Sequence, residues 1–218
     1  WIMLKIWGRK DGSNVIKAMW CIGELGIECE RIDWGGPFGG NDDPEYRRKN
    51  PNGRLPTLEE EDGFTLWESG AVVRYLCAKH SMGNLCPEDL RERASSDKWM
   101  DWSSLNQAVF NPVYLDHYFR LPPADRSKTA IEAAAEKAAP WFDILDAHLA
   151  DNDYVGGSQL TMGDIPAGSV THRWMQWTPN RPPHTNLEAY YERLLARPAY
   201  QEHVVDANAP RTEQVQGN

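Results

Sequence analysis

The chain has 218 residues, 41% of them hydrophobic, which suits one large or two small domains with a core that needs no covalent staple. Its formal net charge of −9 and pI of about 5.2 remove any electrostatic case for binding nucleic acid or an anionic membrane. No apolar run approaches the ~18 residues of a membrane-spanning helix, and there is no signal-peptide pattern. The four cysteines, Cys21, Cys29, Cys77 and Cys86, form neither Cys-x-x-Cys nor a zinc spacing with histidine, so a reduced cytoplasmic compartment and no metal are expected. The start Trp1-Ile2-Met3 reads either as a trimmed chain or as two extra residues ahead of a first Met3.

Met3–Gly8 reads as a buried strand, Arg9–Ser13 as a polar loop, and Asn14–Leu25 as a helix with Val15, Met19, Ile22 and Leu25 in helical spacing. Gly26 ends that helix, and Glu28–Trp34 alternates as a second strand. The glycine-rich stretch 35–40 reads as a mobile loop. It lacks the Gly-Lys-Ser/Thr of a phosphate loop, and Phe38 is a candidate apolar contact on its lip. Asp43-Pro44 opens a short helix to Lys49. Leu55–Glu59 and Phe64–Trp67 are short strands joined by the hairpin signal Asp62-Gly63. Ser69 is expected to cap a helix to about Lys79. The order β-α-β-α-β-β-α predicts a mixed four-stranded sheet, because a helix between the first two strands implies parallel pairing and the hairpin implies antiparallel pairing.

Residues 81–90 read as a linker. Beyond it the pattern is helical: Asp89–Val109 ended by Pro112, Arg126–Leu149 kinked at Pro140, Leu187–Arg197 and Pro198–Val205. Thr161 and Asp164 form a capping box, with Leu160 and Ile165 as its hydrophobic staple. The predicted division is therefore 1–80, a linker at 81–90, an all-α region at 91–205 and a frayed polar tail at 206–218. His117, His172 and His184 show no metal spacing and read as surface or core residues.

Two segments carry chemistry. Asn50-Pro51-Asn52-Gly53-Arg54-Leu55-Pro56-Thr57-Leu58 places a proline at the entrance of a strand, where its missing N–H costs nothing and where a cis peptide is cheap. This leaves the Leu55 backbone open to pair with a substrate backbone. Glu68-Ser69-Gly70-Ala71-Val72-Val73-Arg74-Tyr75-Leu76 places an acid and a hydroxyl at a helix mouth, where the N-terminus can receive a carboxylate. In isolation, Glu68 and Ser69 are equally well read as a dipole partner and an N-cap.

These segments resemble the glutathione-binding half of the cytosolic glutathione S-transferases, bacterial type, with a thiol-site loop closest to nu-like members. The resemblance implies a thioredoxin-like N-terminal βαβαββα domain followed by an all-α domain whose central helix starts at the capping box of Thr161. It implies a cis Pro56 and backbone pairing of Leu55 with the cysteinyl unit of glutathione. Glu68 would meet the ligand's α-ammonium and Ser69 its α-carboxylate. Arg54 would reach the glycyl carboxylate or the thiolate, or remain solvated.

Members of this family place a Tyr, Ser or Cys donor near the first helix, and many bacterial members have Ser or Thr two residues before an asparagine. Gly12 stands there in this chain. Asn14 then matches the thiol-orienting asparagine of nu-type members, with Ser13 as second candidate and Arg9 adding positive potential; either polar residue could instead only cap the helix. Lowering a thiol from about 8.5 by two units takes roughly 2.7 kcal/mol. A hydrogen bond to a charged group supplies about 1.5–3 kcal/mol and a helix N-terminus about 0.3–1 kcal/mol. One neutral donor could therefore suffice.

The second substrate, a small hydrophobic electrophile, would lie between the domains against Trp102, Asn106 and Phe110. Aromatic residues at helical spacing are more often core. The expected activity is a homodimeric, detoxifying glutathione transferase with glutathione as co-substrate. The alternatives are a glutathione-dependent disulfide or peroxide reductase, and a non-catalytic glutathione-binding or interaction module.

Overall fold

The computed structural model describes residues 3–178 and 180–208, apart from the side chains of Phe110 and Phe119. Leu4 and Ile6 of β1 (Leu4–Trp7) are buried and alternate with Lys5 and Trp7, so the two faces of the strand carry different layers. β1 pairs in parallel with β2 (Cys29–Ile32), Leu4 opposite Cys29. The crossover this needs is α1 (Ser13–Leu25). β1 also pairs antiparallel with β3 (Thr57–Glu59), Ile6 opposite Leu58, and β3 pairs antiparallel with β4 (Thr65–Trp67), giving the order β2-β1-β3-β4. The β3–β4 turn uses both predicted residues. Gly63 takes φ 88°, a conformation that only glycine adopts freely, and Asp62 Oδ1 accepts from the Phe64 N–H at 2.9 Å.

α1 and α3 (Ser69–His80) cover one face of the sheet. On the other, α2 (Pro44–Lys49), capped by the Asp43 carboxylate on the Glu45 and Tyr46 N–H groups, brings Tyr46 within 6.0 Å of Trp7 and 5.4 Å of Trp34, ring centre to ring centre. β1 and β2 are shorter than predicted at both ends and β3 and β4 at their starts, and α3 begins at Ser69 with Glu68 in the cap position, so Ser69 is the first helical residue and not the cap.

The second half is helical: α4 (Leu90–Leu115), α5 (Lys128–Leu149), α6 (Asp164–Trp177), α7 (Thr185–Leu195), and α8 (Pro198–Tyr200) running through a widened turn, Gln201–Val205, into α9 (Asp206–Asn208). The connection between the halves is itself packed. Leu85 and Cys86 are buried, and the Leu85 carbonyl accepts from Met162 N–H at 2.8 Å. Two expectations are corrected. α4 passes through Pro112, and the interrupted bond lies on the side of the helix where both Pro112 and Ala108 line a cavity. α5 continues through Pro140, as the sequence pattern has it; Pro140 and Glu136, whose carbonyl loses its donor, are both exposed to water. Ala207 and Asn208, expected in a frayed tail, are buried; residues 209–218 of that tail lie outside the described residues.

α1 is held against the helical half along its length. Gly168 of α6 is there because a Cβ would lie 2.7 Å from the ring of the fully buried Trp20. At the far end of α1, Glu24 accepts from both Arg197 Nε, at 2.8 Å, and Arg197 Nη2, at 2.6 Å.

Asp164 organises the start of α6. Its carboxylate accepts from the Thr161 N–H (2.7 Å) and hydroxyl (3.1 Å), the Val155 N–H (2.9 Å) and the Tyr190 hydroxyl (3.0 Å). The bond to the Thr161 N–H is the acid's half of the predicted capping box, but the cap position of α6 is Gly163 and not Thr161, and the Thr161 hydroxyl accepts from Ser96 Oγ instead of capping an N–H. Burial raises the carboxyl to about 6 against those four donors. Asp164→Ala strands all four, so it should destabilise the protein by about 3–5 kcal/mol, read by urea denaturation; a loss under about 1 kcal/mol would contradict this role.

His172 is also buried. Tyr191 accepts from Gln176 and so turns its own hydroxyl to His172 Nδ1 at 2.9 Å, which suits a neutral ring. Burial lowers the ring to about 4. The unfolded chain therefore takes up a proton before the folded one does. Stability should fall as pH drops from about 6.5 towards 4, by at most about 1.4 kcal/mol per pH unit from this group. Denaturation midpoints against pH should show a shallower acid slope in His172→Gln; an unchanged slope would exclude His172 as its source.

Candidate functional site

A cavity of about 920 Å³ opens where the N-termini of α1 and α3 meet α4. Its size is that of a small-molecule site. From the first half it is lined by Ser13, Asn14, Lys17, Arg54, Glu68, Ser69, Gly70, Ala71 and Arg74. α4 contributes Asp101, Ser104, Gln107, Ala108, Asn111, Pro112 and Leu115, a single face at three- and four-residue spacing, and Arg120 follows.

The loop into β3 is pinned by a buried polar network. Asn50 closes the turn before it, with Gly53 N–H on the Asn50 carbonyl at 3.0 Å. Asn50 Nδ2 then donates to the Arg54 carbonyl (2.9 Å) and to Thr57 Oγ1 (3.1 Å). The Tyr46 hydroxyl reaches the same carbonyl at 2.7 Å and Thr57 Oγ1 at 2.9 Å. Both flanks of Leu55-Pro56 are thereby fixed, and the Leu55–Pro56 peptide is cis, as expected.

Glu68 holds φ 70°, ψ 116°, a left-handed conformation that is costly for a residue with a Cβ. It leaves the Glu68 carbonyl bonded to Val72 N–H at 2.9 Å and the carboxylate exposed at the cavity rim, with Ser69 buried beside it. The geometry sets an anion over a helix N-terminus whose first hydroxyl faces the cavity, an arrangement suited to an ammonium and a carboxylate held side by side.

At the other wall, α1 starts with Gly12 in its cap position and no side-chain cap. A Cβ on Gly12 would meet Val15 Cγ2 at 2.9 Å and the Arg9 carbonyl oxygen at 3.2 Å, so the position is closed to a hydroxyl without rearrangement. Ser13 and Asn14 supply the polar atoms instead. Ser13 Oγ accepts from Arg173 Nη1 at 2.7 Å and Asn14 Oδ1 from Lys17 Nζ at 3.2 Å.

The remaining predicted residues are distributed unevenly. Arg54 is exposed and lines the cavity. Leu55 and Pro56 stand at its edge, outside its lining, with the Leu55 side chain against Gly35. Arg9 pairs with Asp11 at 3.0 Å and packs under Gly36, away from the lining. The glycine-rich stretch forms a tight turn, Gly35 N–H on the Gly39 carbonyl at 2.7 Å, and its Phe38 is 55% exposed and off the cavity. Trp102 and Asn106 are not among the lining residues: each sits one position from a lining residue, about 100° around the helix. Trp102 packs edge-on against Trp99, centroids 5.0 Å apart. The Phe110 side chain lies outside the described residues.

Sequence reasoning passed over Lys17, Asn111 and Arg173. Lys17 and Arg173 are 3% and 2% exposed. Burial, aided by the Arg173 charge and opposed by Glu68, lowers Lys17 to about 7. Burial lowers Arg173 to about 9, against the pull of Asp11. The available signal was that α1 carries only two charged residues, Lys17 and Glu24, and that its buried positions run almost all round the helix, leaving a lysine no solvent face. Among the described residues no cluster of His, Cys, Asp and Glu could hold a metal ion. All four cysteines are free thiols.

Two family models match the chain: glutathione S-transferase, N-terminal domain, over residues 3–78, and glutathione S-transferase, C-terminal domain, over residues 108–198. Glutathione S-transferase GstB of Escherichia coli is 35% identical over 90% of this chain and 95% of its own. Disulfide-bond oxidoreductase YfcG of the same species is 26% identical over 81% and 82%. The glutathione-bound crystal structure of a theta class glutathione S-transferase from Xanthomonas axonopodis pv. citri superposes with a TM-score of 0.86 at 43% identity, covering 92% of this chain and 96% of that one. With a thioredoxin-like sheet half, a helical half and a cavity between them, the chain belongs to the glutathione S-transferase superfamily.

Proposed function

We propose that the protein is a glutathione transferase that ionises the glutathione thiol at the N-terminus of α1 and directs it at an electrophilic carbon. The observation that carries this reading is the convergence on one cavity of Glu68 and Ser69 at one helix mouth and Ser13 and Asn14 at another. In this reading Glu68 takes the γ-glutamyl ammonium. Ser69 Oγ and the first amides of α3 take the neighbouring carboxylate. The Leu55 backbone pairs with the cysteinyl unit and Arg54 meets the glycyl carboxylate. Asn14, with Ser13 beside it, donates to the sulfur. The thiol proton leaves to solvent, the thiolate forms the S–C bond, and the leaving group departs with its electron pair.

The described α4 wall mixes Ala108, Pro112 and Leu115 with Ser104, Gln107, Asn111 and Arg120. That suits an electrophile with an apolar body and a polar or anionic group. Phe64, Trp67, Leu90, Leu105 and Val109 remain exposed, which supports a homodimer. We place the protein in the cytoplasm as a detoxification enzyme, on its free thiols and its family. Among the described residues no helix is long and apolar enough to cross a membrane. We take residues 81–90 as the boundary between the glutathione-binding and helical domains. A glutathione-dependent disulfide reductase is the second reading, favoured by Asn14 at the cavity; it would turn over glutathionyl mixed disulfides with little conjugation.

Glu68→Gln and Ser69→Ala should each raise the glutathione Kd about 10–100-fold by titration calorimetry; unchanged affinities would remove α3 from the site. Asn14→Ala should raise the apparent pKa of bound glutathione, read from its thiolate ultraviolet band. If glutathione binds to the wild-type protein without such a band, the site binds the tripeptide without activating it.

A further inference from the structure

Three side chains facing the cavity have their acceptor oxygen occupied by a buried cation. Asn14 Oδ1 accepts from Lys17 Nζ at 3.2 Å. Ser13 Oγ and Asn111 Oδ1 both accept from Arg173 Nη1, each at 2.7 Å. Ammonium and guanidinium groups only donate, so the atom each of them meets must be an oxygen. This fixes the sense of the Asn111 amide, and that of Asn14 whenever Lys17 is protonated, a choice that the positions of nitrogen and oxygen alone would leave open. The Asn14 and Asn111 NH₂ groups and the Ser13 hydroxyl hydrogen are thereby released, and none is given a protein acceptor among the described residues.

We propose that Lys17 and Arg173 are positioning residues: by holding these oxygens they turn the cavity floor into a surface of hydrogen-bond donors that receives the glutathione thiolate. The inference rests on the reading that the thiol lies at the N-terminus of α1. Asn208 Oδ1 holds Arg173 Nε at 3.1 Å while its own Nδ2 is spent on the Val204 carbonyl, and the Trp177 ring lies 5.1 Å from the guanidinium carbon. Among the described residues no carboxylate is ion-paired with either cation; Glu68 and Asp11 act on them only at longer range. Buried cations with neutral partners are costly, and an anion in the cavity offsets that cost. Arrival of a thiolate should in turn favour the protonated form of Lys17, whose ordinary value burial has lowered to about 7. Arg173 belongs to α6 and Ser13 to α1, so the helical half sets the polarity of a donor carried by the other half.

The test titrates the thiolate band of bound glutathione in the wild-type protein, Lys17→Met, Lys17→Arg, Asn14→Ala and the Lys17→Met/Asn14→Ala double variant. Lys17→Met should raise the apparent pKa by about one unit, tenfold less thiolate below it. Lys17→Arg, which keeps the donor, should recover most of the loss. S-Methylglutathione, which has no thiol to ionise, should bind Lys17→Met within about twofold of wild type. In the Asn14→Ala background Lys17→Met should add little, because it acts through Asn14. An unshifted titration, or an effect undiminished by Asn14→Ala, overturns the inference. Arg173→Lys should raise the pKa more in the presence of Ser13 than in Ser13→Ala, where only the Asn111 contact remains to be lost, and an equal effect in both overturns that half; if Arg173→Lys does not fold, the Lys17 series decides alone. A wild-type protein with no thiolate band, or one whose band neither Asn14→Ala nor Ser13→Ala alters, refutes the underlying reading of the thiol site.

Discussion

The buried guanidinium of Arg173 is the interaction on which the arrangement of this molecule turns. It comes from the central helix of the second half and meets Ser13 at the start of α1, Asn111 on α4 and Asn208 at the end of α9. Each partner is neutral, so no strong Coulombic attraction offsets the loss of water; the site depends on geometry holding every donor against an oxygen. With Gly168 admitting the Trp20 ring at mid-helix and Glu24 clamping Arg197 at the other end, α1 is fixed at three points. Its N-terminus, the end that bears on the cavity, therefore has a defined position relative to α4.

The cavity is consequently a property of both halves. One wall is set by backbone devices: a left-handed Glu68 ahead of a helix, and Arg54 carried on a loop pinned beside the cis Leu55–Pro56 peptide. The other is made by side chains whose hydrogen-bonding sense is set from beneath. Such a surface binds a ligand by offering it donors where it carries negative charge and one carboxylate where it carries positive charge. This matches the pattern of charge on glutathione.

What could be read from the sequence was local. Pro56 before a strand, Asp62-Gly63 between strands, Glu68-Ser69 at a helix mouth and Asp164 three residues after Thr161 each act on neighbours within a few positions, and each marks the right local structure, although the helix caps fall on Glu68 and Gly163 and not on Ser69 and Thr161. The errors have the same origin. Pro112 reads as a break because a helix is judged locally, whereas the exposure of its missing bond depends on what packs around the helix. Trp102 and Asn106 were picked from the right helix at the wrong phase, which the cavity and not the helical period determines. Arg173 and Ser13 are separated by 160 residues and Arg173 and Asn111 by 62, so nothing in a single sequence joins them. Lys17 left a faint trace, as a cation on a helix with no exposed stripe.

The most direct measurement is the crystal structure of the protein with glutathione bound. The account predicts the sulfur in hydrogen-bond contact with Asn14 Nδ2 or Ser13 Oγ, the γ-glutamyl ammonium on Glu68 and its carboxylate on Ser69. A tripeptide bound with its sulfur turned away from α1 and its glutamyl end away from Glu68 and Ser69 would contradict it.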